Sequence, residues 1–100
     1  MVGWLVGECR VRVKFAGVLV SFAGSDTVDV KVECGSTLRK LLRQLSQQNP
    51  RLRRRLVEDD ELWPGVYAAV NDVDIRLLNG LETRLKDGDV VLFLSYIHGG

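Results

Sequence analysis

The sequence predicts an α+β fold, a mixed sheet with one main helix on one face, and three observations predict it. Residues 9–15 and 27–34 both alternate apolar and charged side chains with a period of two, the pattern of half-buried strands. Residues 36–49 carry a single apolar stripe at helical spacing. Residues 89–97 are apolar at nearly every position. A strand without alternation is buried on both faces or meets a partner on its outer face.

In the first strand Cys9, Val11, Val13 and Phe15 face inward, and Arg10, Arg12 and Lys14 face water. In the second, residues 28, 30, 32 and 34 are the inward set. Gly24, Ser25 and Asp26 carry turn chemistry, so the two strands pair as an antiparallel hairpin. Cys9 and Cys34 read first as two buried thiols acting as small hydrophobes. If Phe15 faces Val28, however, Cys9 faces Cys34, and a disulfide is conceivable. A one-residue slip of register would remove that pairing.

Ser36 or Thr37 caps the helix, Leu38, Leu41, Leu42 and Leu45 form its buried stripe, and Asn49-Pro50 ends it. Beyond it, Arg51–Val57 makes a second short helical turn with Leu52 and Leu56 inward. Glu58–Glu61 reads as a solvated loop, and Leu62–Gly65 turns back toward the body. Val66–Val70 is a further strand, Asn71-Asp72 a turn, and Asn79-Gly80 and Asp87-Gly88 are turn signals.

At 100 residues the chain buries roughly 65% of its unfolded surface, enough for a core without staples. Its 46% hydrophobic and 27% charged residues exclude a disordered chain. Fourteen basic and thirteen acidic residues leave a net charge of +1, which argues against a dedicated DNA binder. The apolar run at residues 1–8 is too short for a signal segment or a membrane span, so the expected location is cytoplasmic. A chain this small leaves the chemistry to a partner.

The sequence ends Tyr96-Ile-His-Gly-Gly100, directly after the apolar strand. Glycines lack side chains, so such a tail can thread a narrow channel and bring the terminal carboxylate to the α-phosphate of ATP. Val70-Asn71, Leu85 with Asp87-Gly88-Asp89, the apolar strand and Gly99-Gly100 together resemble the ubiquitin-like sulfur-carrier group. That group comprises the small subunit of molybdopterin synthase, the thiazole sulfur carrier, the ubiquitin-related modifier and the small archaeal modifier proteins. The resemblance covers essentially the whole chain. It implies one ubiquitin-like β-grasp domain over residues 1–100, with the last strand parallel to the first in mid-sheet.

The resemblance further implies a carrier or modifier rather than an enzyme. Gly100 would be the reacting residue, adenylated by an ATP-dependent, ubiquitin-activating-type enzyme. Thiocarboxylation by a sulfur donor or an isopeptide link to lysine would follow. Gly99 and His98 would be read by the activating enzyme, and no cofactor would be bound by the chain itself. Ile97-His98-Gly-Gly looks like the ending of the ubiquitin-related modifier. The alternatives are the small subunit of molybdopterin synthase, working with a larger subunit, and a ubiquitin-like interaction module whose glycines are never activated.

Val91 and Phe93, or their neighbours Leu92 and Leu94, together with Tyr96, are expected to form an apolar docking patch for the activating enzyme. Parity alone leaves open which pair points outward. Arg51–Arg55 suggests a grip on RNA phosphates, but Glu58–Glu61 follow at once and no aromatic residue interleaves, so a self-neutralising face is the expectation. The same four acids lack the spacing of a metal loop. No phosphate-binding loop or nucleophile elbow occurs.

Overall fold

The computed structural model describes residues 7–96. β1 (Glu8–Gly17) follows its predicted alternation, with every second residue from Cys9 to Phe15 buried. The connection to β2 (Thr27–Glu33) is no tight hairpin turn. It contains a short helix, α1 (Leu19–Ala23), whose Leu19 is fully buried and whose end is closed by Gly24 at φ 82°. A left-handed residue there ends the helix without steric cost only as glycine. α2 (Leu38–Gln48) has the predicted stripe, and the Thr37 side chain accepts a hydrogen bond from the Lys40 amide. Asn49 then serves two helices. Its backbone N–H closes α2 on Leu45, and its side chain caps α3 (Pro50–Leu56) by accepting from the Leu52 amide. Proline at the first helical position loses no hydrogen bond.

The acidic segment 58–61 is exposed, as expected, but is a hairpin rather than an irregular loop. β3 (Val57–Glu58) and β4 (Glu61–Leu62) form a small hairpin across Asp59 and Asp60, both at positive φ. Short acidic and amide side chains tolerate that conformation better than bulkier residues. Asn71 and Asp72 do the same between β5 (Tyr67–Val70) and β6 (Val73–Asp74). Two short 3-10 turns, Ile75–Leu77 and Gly80–Glu82, lead toward β7 (Val90–Ser95).

The main sheet has the order β2-β1-β7-β5-β6, with β7 parallel to β1 and antiparallel to β5. β7 is thus central, as the resemblance implied. Its apolar character follows, because a mid-sheet strand has a neighbour on each side and a helix layer on one face. In that layer the expected main helix α2 is joined by the shorter α1 and α3. Leu19, the four α2 leucines, Leu52 and Leu56 join the inward residues of β1, β2 and β7 in one core. Phe15 and Phe93 stack within it, ring centroids 6.2 Å apart.

The β1–β2 register also differs from expectation. Val13, not Phe15, lies opposite Val28, and Cys9 lies opposite Val32. The offset is two residues, so parity and faces are kept. Cys34 sits just beyond β2, where its amide donates to the Gly7 carbonyl. From there Cys34 reaches diagonally to Cys9. The two are joined by a disulfide with Cα atoms 4.9 Å apart, so the reading of two free buried thiols is overturned. Val28, expected inward, is 38% exposed, because β2 is an edge strand with a neighbour on one flank only.

Candidate functional site

The site is built on the sheet face opposite the helices and on the strand that leads to the tail. Alternation along β7 settles which pair points outward. Val91 and Phe93 are fully buried in the core and are therefore unavailable to a partner, contrary to their inclusion in the expected patch. Leu92 and Leu94 are the outward pair, each half-buried. Tyr67 of β5 pairs with Leu94 and Ala69 with Leu92, while Lys14 and Ala16 of β1 flank the same two leucines. Tyr96, just past β7, is 75% exposed. The result is an apolar strip of Leu92, Leu94, Tyr67 and Tyr96 bordered by the cationic face of β1. Tyr67 was missed at the sequence level because its place beside Leu94 is set by strand pairing 27 residues away in the chain.

On the same cationic face, the Arg12 Nε donates to Asp29 at 3.0 Å. This hydrogen bond holds the Asp29 carboxyl below its ordinary value and raises the Arg12 guanidinium. Both are exposed, so the pair orders the rim more than it stabilises the fold.

Four of the motif residues that carried the resemblance, Asn71, Asp87, Gly88 and Asp89, make hydrogen bonds at the start of β7. Asp89 is buried. One of its oxygens accepts from the Asn71 side-chain amide at 2.9 Å and the other from the Lys86 backbone at 2.7 Å. The Asn71 side-chain oxygen accepts from the Val90 amide, and its backbone N–H donates to the Val90 carbonyl. Asp87 accepts from the Arg10 amide at 2.8 Å, and the Gly88 amide donates to the Arg10 carbonyl. Buried polar groups that satisfy one another specify a single arrangement. Here the arrangement sets the register of β7 against both neighbours.

The other end of β7 is fixed by Gly17, which sequence reasoning had not singled out. Its φ is +70°, and a Cβ placed there would stand 2.0 Å from the Ser95 carbonyl oxygen. That oxygen accepts from the Val18 amide at 2.8 Å. Only glycine permits this approach, and it holds the last residue of β7 immediately before Tyr96.

The expected reacting residue Gly100 and the expected recognition residues Gly99 and His98 lie outside the described residues. Among the described residues no group of three or more His, Cys, Asp or Glu side chains is placed to hold a metal ion, and no helix is long and apolar enough to cross a membrane.

The Urm1 (Ubiquitin related modifier) family model matches residues 10–100. A ubiquitin-related modifier 1 homolog of Chlamydomonas reinhardtii is 32% identical over 97 residues, spanning 91% of this chain and 98% of that protein. The homolog of Drosophila willistoni is 36% identical over 66 residues, 66% of this chain and 63% of that protein. Among solved structures, the small archaeal modifier protein 1 of Methanosarcina acetivorans superposes with a TM-score of 0.76 at 29% identity, covering 94% of this chain and 99% of that one. A chain of the BexX/CysO complex of Amycolatopsis orientalis superposes with a TM-score of 0.73 at 30% identity, covering 90% and 99%. With the β-grasp sheet, the central β7 and a family match running through the terminal glycines, the chain belongs to the ubiquitin-related modifier family, whose members are ubiquitin-like sulfur carriers and protein modifiers rather than enzymes.

Proposed function

We propose that the reacting group is the carboxylate of Gly100, activated in the active site of a separate ATP-dependent, ubiquitin-activating-type enzyme. A carboxylate oxygen attacks the α-phosphate of ATP and pyrophosphate leaves, giving an acyl adenylate. A persulfide on a donor protein then displaces AMP to give an acyl disulfide, which a second thiol cleaves to a thiocarboxylate while forming a disulfide with the donor. Alternatively, a lysine amine displaces AMP and loses a proton to leave an isopeptide bond. Gly99 and His98 are the residues the activating enzyme reads on the way in, and the strip of Leu92, Leu94, Tyr67 and Tyr96 is where it docks. The end uses are tRNA thiolation and protein modification, in the cytoplasm.

The observation that carries this reading is the anchoring of β7. A central strand clamped at Asp89 and at Gly17 delivers Tyr96 and the tail from a rigid base beside an exposed apolar strip. A fixed base lowers the ordering entropy that docking into another protein's channel costs. Intact-mass analysis of the chain purified from its native host tests it. An oxygen-to-sulfur exchange at the C-terminus supports the carrier role, and Gly-Gly remnants on lysines of other proteins support modification. Deleting Gly99 and Gly100 abolishes both. If the deletion leaves both products in place, the proposal fails. Co-purification with a larger pterin-binding subunit would instead indicate the molybdopterin synthase role.

A further inference from the structure

The arginine run 51–55 is not neutralised in the way its sequence context suggests. The neighbouring acids turn the other way. Asp60 accepts from Arg43 of α2 at 2.6 Å and from Arg39, whose guanidinium also meets Glu61 at 3.0 Å and Glu82 at 2.8 Å. Arg53 points to that side too, lining a groove of about 430 Å³ with Asp59 and Asp60. Arg51, Arg54 and Arg55 stand apart. Among the described residues none of the three has an ion-pair partner.

Two of them are held in place from below. The guanidinium carbons of Arg51 and Arg55 lie 5.7 and 4.7 Å from the centroid of one ring, Phe22 of α1. Each contact is a cation–π interaction. Their positions at i and i+4 put both on one flank of α3, with Arg54 exposed alongside. Like charges at that spacing repel, by roughly 0.2–0.5 kcal/mol in a helix. The cluster is thus pre-ordered, and among the described residues no carboxylate forms an ion pair with it.

We infer that Arg51, Arg54 and Arg55, ordered over Phe22, are a binding site for the phosphate backbone of nucleic acid. Two guanidinium forks brought to one ring match the several acceptor oxygens and the charge of a phosphate. Phe22 lies beneath the guanidiniums and is not free to stack a base. The site therefore reads phosphates, not sequence. Two or three phosphate contacts place the affinity at the weak end of non-specific binding, on the order of 10⁻⁴ M at physiological salt. This site lies on the helix layer, not on the sheet face that carries the apolar strip.

The experiment is an NMR titration of the full chain with DNA and RNA duplexes of one mixed sequence, following the arginine side-chain Nε–H signals. The signals of Arg51 and Arg55 are expected to shift most. The affinity is expected to fall roughly 10- to 40-fold between 50 and 200 mM salt, as the release of two or three counterions requires. In Arg51→Gln/Arg55→Gln, binding drops at least tenfold. In Arg51→Lys/Arg55→Lys, which keeps the charge but loses fork and stack, the salt dependence persists at reduced affinity. If the glutamine variant misfolds by circular dichroism, Arg54→Gln, which has no contact with Phe22, still weakens binding severalfold. The inference is overturned if neither duplex moves these signals, if the glutamine variant folds and binds as the parent does, or if a glutamate-rich peptide binds them more tightly than either duplex.

Discussion

At the residue scale, two side-chain environments make firm predictions. Gly17 combines a left-handed backbone with a backbone oxygen where a Cβ would go. Gly17→Ala is expected to destabilise the chain by about 3 kcal/mol or more, since strain and overlap act together. Urea unfolding should show a lower midpoint with an unchanged slope. Asp60 is held below its ordinary value of 3.8, first by its hydrogen bond from Arg43 and further by the charges of Arg43 and Arg39. A depressed carboxyl contributes its stabilisation above the unfolded value and loses it as pH falls through the folded value. Its carbon-13 carboxyl titration should therefore have a midpoint below 3.8, and Arg43→Gln should move that midpoint partway back up. The exposed position limits this to a local signal rather than a large change in stability.

At the scale of elements, the edge strand β2 is secured twice, by its ladder to β1 and by the Cys9–Cys34 disulfide just past its end. Closing a loop of 25 residues removes chain entropy worth roughly 3.5 kcal/mol from the unfolded state. Cys34→Ser should lose up to that amount, read by thermal or denaturant unfolding, and the unreduced parent should show no titratable thiol after unfolding. The elements also divide by how well sequence reports them. α2 was legible because four leucines at helical spacing and a threonine cap agree with one another. α1 was not, since five residues between two strands offer too little periodicity. Its helical form depends on Leu19 reaching a core that the rest of the chain builds. The acidic hairpin was legible as a solvated segment but not as a hairpin, nor were its partners Arg39 and Arg43, which α2 brings beside it.

At the scale of the whole molecule, the sheet separates two jobs between its faces. One face carries the helices and the core, and the other carries the apolar strip that runs to Tyr96. Leu92→Asp/Leu94→Asp should reduce activation by the adenylating enzyme at least tenfold, the loss of a single interface anchor, while melting close to the parent. Val91→Asp should unfold the chain, because it places an unpaired charge in the core. A pyrophosphate-release assay with the activating enzyme, alongside a thermal melt, distinguishes the two. Equal activation by the leucine variant and the parent would remove the strip as the docking face.

The sequence by itself determined the α+β class, the strand faces, the main helix and the resemblance that led to Gly99 and Gly100, because these rest on periodicity and short motifs. Only the tertiary structure decided that Val91 and Phe93 belong to the core, that Cys9 meets Cys34, and that the acids of the hairpin pair with Arg39 and Arg43 of α2. The physical reason is common to all three. Parity and charge runs are local, but which face is covered and which charges meet depends on contacts between residues far apart in the chain.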